Sequence, residues 1–554
     1  MKKILSAEDF IMLYRAALKV GLSREQFGAF IGMQPQSVTR KRLKIKDKFG
    51  TDLGQLEMTG DSSLDEDMTD AFQSAYKDIS NNIKLTHVKE VRQHAKTYVV
   101  TSAQNATPIH EGFFASIIKF CKENDAELLI IPYRYRNPTS LWTEKDHDWW
   151  HPKAVNYISD NNIELCKGLQ VMGHIKMQPT ATAPLSGFDS YTGQDSGIFG
   201  HPKVQLKTIP TPSKMQPKIL TTTGAITVPN YSDSKAGHKG EFHHSLSATV
   251  VEVTDNEFHI RHIHGEDDSG HFYDFENYYT PTKVTTGHRI SALVTGDTHI
   301  EFMDSEVDKA TYLNSDSILN LLKPKSLIYH DLYDFYSRNH HHRGNDIIAV
   351  GKHRHGRNNV EEGLQVAADF IDRNTRKLTQ NVIIKSNHDE ALDKWIAETD
   401  PKFDPENAQF YHYLKYHTLK NVVMTDTGFE TIDPFTFWCS YPDEHDGLMS
   451  LKYTSFLKRD ESFSVEGIEL GFHGDVGVNG ARGSINSLSK TGPKMIIGHS
   501  HSPGIYEGVY QVGLSAKLNL EYQSGPSSWL HTHCIVYPNG SRTLVNIVNG
   551  KWRA

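Results

Sequence analysis

Ile290-Ser291-Ala292-Leu293-Val294-Thr295-Gly296-Asp297-Thr298-His299 is an apolar, β-branched run that stops at a carboxylate and a histidine two positions apart. The run reads as a strand and the stop as the loop at its end. Four further stretches are built alike. Ser326–Tyr329 runs into His330-Asp331, and Asn381–Lys385 into Ser386-Asn387-His388-Asp389. Gly467–Gly471 precedes His473-Gly474-Asp475, and Lys494–Ile497 precedes Gly498-His499-Ser500-His501. Strands that all end this way can bring their loops to one edge of one sheet. Helical stretches, Glu361–Leu378 and Pro405–Leu419, lie between them. From about Thr286 onward the pattern is therefore α/β. Two apolar runs flank Asn539-Gly540 in the tail, which is a hairpin signal.

The loop residues offer oxygen and nitrogen in proportions that suit a divalent metal pair. Asp297 and His299 can reach one ion from one strand end. Asp331 can bridge two ions, one oxygen to each. Asn387 adds an amide oxygen, and His473, His499 and His501 add imidazoles. Mixed ligation of this kind favours Mn, with Fe, Zn, Co, Ni or Mg as alternatives, over an all-oxygen calcium shell. A lone Asp-x-His is usually only a pair of solvated side chains. The ordered set of five carries the reading.

Upstream, Ser6 to Lys48 reads as three short helices. Ser6 and Ser23 are N-cap residues, Gly21 ends the first helix, and Gly32-Met33-Gln34-Pro35 is a turn. The third helix carries Arg40, Lys41 and Arg42, and Phe27, Phe30, Ile31 and Val38 would form a small core. This resembles a helix-turn-helix, which either contacts DNA or serves as a docking and oligomerisation module. An acidic stretch, Gly60 to Asp70, follows as a linker or helix start. Lys96–Ser102, Glu111–Asn124 and Glu127–Pro132 read as strand, helix and strand. Thr180 to Lys239 is rich in Ser, Thr, Pro and Gly and is expected as loops and short strands. Thr249–His262 reads as a strand or hairpin. No internal repeat and no nucleotide-binding glycine loop is read in this middle region. The expected organisation is a helix-turn-helix-like domain at 1–60, a linker or helical segment at 61–95, an accessory α/β domain at 96–285 and the motif-bearing domain at 286–554.

At 554 residues the chain exceeds one ordinary core. No apolar run approaches the roughly 20 residues that span a bilayer. The N-terminus turns acidic before any long apolar stretch, so a cytoplasmic protein without membrane contact is expected. The four cysteines are scattered with no CxxC pair and are expected as free thiols. A net charge of −8 excludes a generally basic coat, though local clusters can still meet nucleic acid. Two such clusters stand out. They are Arg338-Asn339-His340-His341-His342-Arg343 and Lys352-His353-Arg354-His355-Gly356-Arg357. Arg354, Arg357 and Arg482 are candidate phosphate contacts, against the alternatives of a solvated loop or an additional adventitious metal site for the first two and a loop salt bridge for Arg482. His531 and His533 are expected as structural.

The segment from about Thr286 to the C-terminus resembles the calcineurin-like metallophosphoesterases, whose pattern is DxH, a bridging Asp, NH(D/E), His and GHxH. The resemblance implies a β-sandwich flanked by helices. It implies one metal on Asp297, His299, Asp331 and His501, and a second on Asp331, Asn387, His473 and His499. His388 would be the catalytic histidine. Two departures are His330, where the pattern has Gly, and Ser386, where it also has Gly. The Ser386 to Glu390 stretch with Leu392 and Trp395, and His473 to Asp475 with the Asn479 to Ser484 and Gly498 to Gly504 stretches, are similar to phage-encoded metallophosphoesterases, among them pre-early nucleases that degrade host DNA. The implied function is a two-metal DNA nuclease, DNA being the partner and a homo-oligomer an option. A small-substrate phosphatase or cyclic-nucleotide phosphodiesterase is the alternative within the same chemistry. A DNA-binding regulator with a vestigial metal site is the alternative outside it.

Overall fold

A computed structural model describes residues 95–135, 150–212, 217–254, 257–339, 342, 344–440, 451–520 and 523–554. Of the N-terminal segment it describes only 10, 11, 14, 27, 38–43 and 45. The rings of Phe10, Tyr14 and Phe27 pack together there, and Val38 is buried. The rest of the expected helix-turn-helix, with Phe30 and Ile31, lies outside the described residues, as do the linker at 61–94 and three residues of the 338–343 histidine cluster.

The chain is mixed α/β with several sheets. Two of the five motif-bearing strands, Ile468–Glu469 and Met495–Ile497, lie in a second sheet, so the motifs do not share one edge of one sheet as expected. The other three lie in a six-stranded sheet in the order Thr454–Leu457, Gln380–Ile384, Ser326–Tyr329, Ala292–Val294, Thr532–Val536 and Arg542–Asn546. The first four strands are parallel. Parallel neighbours need long crossovers, which here carry helices. The last two strands form the expected hairpin around Asn539-Gly540. Gly540 takes a φ of 75°, the left-handed region that such a turn requires.

Both faces of this sheet are covered, which explains runs that are apolar throughout rather than alternating. Leu293, Leu327, Tyr329 and Ile383 face a helical layer that includes Leu319, Leu322, Val360 and Leu364. Ala292, Val294, Ile328 and Val382 face a second sheet. Each such buried aliphatic side chain contributes roughly 1.5–3 kcal/mol. The principal helix, Val360–Asn374, is capped by Asn359, whose side chain accepts from Glu362 N. It buries Val360, Leu364, Ala367, Ala368 and Ile371 at helical spacing. It stops four residues before the expected Leu378, where Thr375 turns extended and its hydroxyl donates to Ile371 O.

The second sheet has ten strands. Its order is Ser464–Val465, Ile468–Glu469, Met495–Ile497, Val509–Gln511, Gly504–Tyr506, Leu206–Ile209, Lys218–Thr222, Ser196–Phe199, Leu169–Met172 and Asn162–Cys166. Five strands come from each side of the boundary expected near residue 285. They join where Gly504 pairs with Lys207 and Ile505 with Leu206, antiparallel.

A four-stranded sheet, Glu127–Tyr133, Thr97–Gln104, Ser247–Val253 and Phe258–His264, completes the middle of the chain. The helix Glu111–Glu123 packs Phe113, Ile117 and Phe120 on its outer face. Its inner face, through Tyr98, Val100, Leu129 and Val251, joins the core shared with the other two sheets. His262 N donates to Thr543 Oγ1 at 3.2 Å, so this sheet abuts the six-stranded one. Among the described residues no helix is long and apolar enough to cross a membrane.

Candidate metal centre

The five motifs converge. Asp297 and His299 follow Ala292–Val294, Asp331 follows Ser326–Tyr329, and Asn387 and His388 follow Gln380–Ile384. His473 follows Ile468–Glu469, and His499 and His501 follow Met495–Ile497. Ligands in open α/β sheets gather outside the carboxyl ends of the strands, and so do these side chains. Four of them sit on strained backbone. His299, Asp331, His499 and His501 have φ of 41°, 42°, 72° and 58°. Such non-glycine conformations cost roughly 1–3 kcal/mol each and persist where the surroundings fix them.

One oxygen or nitrogen from each of Asp297, His299, Asp331 and His501 lies within 4.8 Å of the others, and all four residues are buried. His501 Nε2 is 3.1 Å from Asp297 Oδ2 and 3.1 Å from His299 Nε2. His299 Nδ1 donates to Asp334 Oδ1 at 2.7 Å. In a neutral ring that leaves Nε2 as a lone pair aimed at the cluster. Asp331 Oδ2 is 3.6 Å from His299 Nε2 and 3.2 Å from His473 Nε2, and the His473 and His499 rings meet edge to face at 5.4 Å.

Burial would push the Asp331 carboxyl up, but His473, His388 and His299 outweigh it and hold it well below the usual range. Asp297 is also held down, by His501 and His473 against burial. Burial alone would lower His473, yet Asp331 raises it to about 9. The two buried carboxylates thus draw positive charge to themselves. Several donor atoms nonetheless lack a hydrogen-bond partner. They are Asp297 Oδ1, Asp331 Oδ1, Asn387 Oδ1 and His501 Nδ1. Buried polar atoms cost roughly 1–3 kcal/mol each when unpaired, and more if charged. A divalent cation on either side of Asp331 would satisfy them together, so this donor set fits a metal centre.

Close packing holds the ligands in place. A Cβ at Gly498 would stand 2.2 Å from Asp297 Oδ1, so the His499 loop can cross the carboxylate only at a glycine. His533 Nδ1 accepts from Gly296 N at 2.8 Å, which directs its Nε2 hydrogen to Thr311 Oγ1, also at 2.8 Å. His533 therefore braces the Asp297 loop, as a structural histidine. His531 contacts Ala516 O at 2.9 Å. Ser386, the departure from Gly, donates its hydroxyl to Asp389 Oδ2 at 2.8 Å, while Asp389 Oδ1 accepts from Tyr333 N. That carboxylate ties the Asn387 loop to the Asp331 loop.

Beside the ligands lies a cavity of about 470 Å³, lined by His388, Arg482, His499, His501, Gln511 and Trp529 among others. Arg482 is exposed at its wall. Arg354 and Arg357 do not line it. Arg354 is exposed at the end of the helix Asp346–Arg354. The Arg357 guanidinium lies 4.6 Å from the Phe302 ring and 4.3 Å from the Tyr336 ring, and it donates to Glu301 O.

With this geometry in place, the chain can be set beside known proteins. It is 34% identical over 488 residues to Protein A1 of Escherichia phage T5, across 86% of this chain and 85% of that protein. The chain belongs to the family of that phage protein. No family model and no solved structure matches it. In this member of the Protein A1 family, sequence reading missed two residues at the site. Asp334 holds His299 and also His388, whose Nδ1 is 2.9 Å from the same oxygen. The spacing Asp331-x-x-Asp334 was the available signal. Trp529 packs edge to face on His501 at 4.5 Å, and no local pattern marked it.

Proposed function

We propose that this chain is a metal-dependent phosphodiesterase that cleaves DNA. The observation that carries the reading is Asp331. Its carboxylate stands between two sets of donors, 3.6 Å from His299 and 3.2 Å from His473, with one oxygen unpaired. One metal would take Asp297, His299, Asp331 and His501, and the other Asp331, Asn387, His473 and His499. This is the arrangement of a calcineurin-like metallophosphoesterase, and the two-sheet architecture with flanking helices is compatible with that fold. Two divalent ions, Mn by preference, would supply charge neutralisation of the phosphodiester and activation of the attacking water when bound.

The remaining steps belong to the chain's own side chains. His388 faces the cavity with its Nδ1 hydrogen held by Asp334, so its Nε2 is the edge that can pass a proton to a leaving oxygen. Burial would lower its pKa, but Asp331 and Asp334 raise it to about 10, so the ring is protonated before any cation is bound. Arg482 is placed to hold a phosphate oxygen at the cavity wall. Arg354, exposed at a helix end away from the cavity, is a further candidate for backbone contact, whereas Arg357 is packed on Phe302 and Tyr336.

The test is cleavage of closed circular and linear duplex DNA with Mn or with EDTA, beside Asp331→Ala. Metal-dependent loss of both substrates, absent in the variant, is the expected result. Turnover of a small phosphodiester with both DNA substrates intact would replace the nuclease reading by a small-substrate phosphodiesterase.

A further inference from the structure

The strands of residues 97–264 repeat those of residues 292–546. Around Ala292–Val294, one neighbour is the parallel Ser326–Tyr329 and the other the antiparallel Thr532–Val536, which continues into a hairpin. Around Thr97–Gln104, one neighbour is the parallel Glu127–Tyr133 and the other the antiparallel Ser247–Val253, which also continues into a hairpin. The ten-stranded sheet repeats as well. Inward from the Ser464–Val465 edge the pairings run antiparallel, parallel, parallel, antiparallel. Inward from the Asn162–Cys166 edge they run in the same sequence. Each half visits its strands in the same chain order. The two innermost strands are counterparts, and they pair antiparallel with each other. The halves are thus related by a pseudo-twofold axis that passes between the Gly504–Lys207 and Ile505–Leu206 pairs.

Two glycines fix the register between the halves. A Cβ at Gly498 would meet His330 Cβ at 3.2 Å, and one at Gly200 would meet Ile131 Cβ at 2.7 Å. His330 therefore corresponds to Ile131, and Gly498-His499-Ser500-His501 to Gly200-His201-Pro202-Lys203. Ile131 pairs with Ser102, as His330 lies level with Gly296 when the register of Val294 and Ile328 is continued. Asp297 then becomes Ala103, and the bridging Asp331 becomes Pro132. Neither can ligate a metal. His201 is retained, but Lys203 N donates to its Nδ1 at 3.0 Å and its Nε2 is 3.1 Å from Gln178 O. Lys203 stands where His501 would. Its buried ammonium reaches Glu507 of the other half at 2.8 Å.

By the same symmetry, the copy reaches the metal cleft. Thr211, just past Leu206–Ile209, donates its N–H to Ser527 O at 3.0 Å, and Ser527 N donates to Thr211 O at 2.9 Å. Thr208 Oγ1 donates to Pro503 O at 3.3 Å. Ser528 hydrogen-bonds Ser502 at 2.7 Å, and Trp529 packs on His501. The copy thus grips both segments that flank His501.

We propose that residues 97–264 are a metal-free copy of the catalytic sandwich that acts as a built-in partner subunit, holding the Trp529 rim of the metal cleft through Thr211. The claim rests on the metal-centre reading but not on DNA cleavage. Mn binding by the full-length chain tests it, through calorimetry and metal content. Asp297→Ala/Asp331→Ala removes all tightly bound Mn, because the copy holds none. Thr211→Pro deletes the N–H that Ser527 accepts and raises the Mn Kd about fivefold, a step below the 10–100-fold of partners that touch ligands directly. Thr211→Val keeps that N–H and stays within about twofold of the parent. Thr208→Val leaves the backbone intact and moves the Kd the same way as Thr211→Pro. Mn retained by the double Asp variant, or unchanged Kd in both Thr211→Pro and Thr208→Val, would overturn the inference. Normal Mn behaviour without DNA cleavage would sink the nuclease reading and leave this one standing.

Discussion

His299 Nδ1 lies 2.7 Å from Asp334 Oδ1, with both side chains buried. The same oxygen takes His388 Nδ1 at 2.9 Å. One carboxylate therefore sets the tautomer of a metal-facing imidazole and of the imidazole proposed to move a proton. An amide in its place would have to turn its NH₂ towards one ring or leave a hydrogen unmatched. Asp334→Asn should weaken Mn binding about 10–100-fold, as expected for a residue that orients a ligand. It should also lower kcat on a small phosphodiester. Calorimetry and steady-state kinetics read the two effects, and parent-like values in both would refute the role.

Gly498 allows the closest approach in the site, with Asp297 Oδ1 only 2.2 Å from where a Cβ would stand. Neither that carboxylate nor the His330 side chain behind it has room to retreat. Gly498→Ala should therefore cut Mn affinity at least tenfold while the far-ultraviolet circular dichroism stays that of the parent.

Metal removal should cost stability. Asp297 and Asp331 are buried carboxylates with unpaired oxygens, so cations that bind the folded chain shift its unfolding equilibrium. At a hundredfold excess over Kd the shift is about 2.7 kcal/mol for one site. Thermal unfolding in EDTA should show a lower Tm than in Mn. In Asp331→Ala the difference between the two should shrink towards zero.

The Lys203–Glu507 pair gives the pH dependence its sign. Burial pushes the Glu507 carboxyl up, but Lys203 outweighs it and holds it below its ordinary value of 4.5. Burial also lowers Lys203, so the two partners pull in opposite senses. The short, enclosed contact favours an intact pair at neutral pH. A depressed carboxyl contributes stability above 4.5 that is lost as pH falls through the folded value. Glu507→Gln should lose ~3 kcal/mol at neutral pH, because it strands a buried ammonium. Its stability should then fall less steeply than that of the parent below that pH. Parallel acid limbs in the two proteins would refute the pair's contribution.

Arg482 and Arg357 should separate by salt dependence. Arg482 is exposed on the cavity wall, whereas Arg357 lies over two rings. Arg482→Ala should weaken DNA binding uniformly across sequences and reduce the salt slope by about 1. Arg357→Ala should lower Tm through the lost cation–π contacts, worth about 0.5–2 kcal/mol.

The candidate metal ligands were legible because each follows an apolar run, and a strand end fixes where a loop points. Strand identity was legible for Ala292–Val294, Ser326–Tyr329 and Gln380–Ile384, since two-sided burial demands near-continuous apolar residues, but not for the half-buried edge strand Thr454–Leu457. Asp334 was not, because its importance lies in touching two rings that follow neighbouring strands, which the Asp331-x-x-Asp334 spacing hints at but does not display. The stacking of Arg357 was equally hidden, since a basic cluster looks alike whether its guanidinium is solvated or stacked. The repeat escaped notice for a different reason. Ala103, Pro132 and Lys203 have lost the chemistry that made their counterparts conspicuous, and strand faces ask only for apolar bulk. What survived was slight, chiefly Gly200-His201 against Gly498-His499.

The antiparallel seam between Gly504–Tyr506 and Leu206–Ile209 also decides what can be cut away. Those strands cap one another's open hydrogen-bonding edges in the middle of a ten-stranded sheet. Severed from its twin, the metal-bearing half would present a bare edge and the apolar face that the four-stranded sheet now shields, an invitation to aggregate. A gene encoding this chain could thus lose every ligand in the silent half and still be unable to discard it.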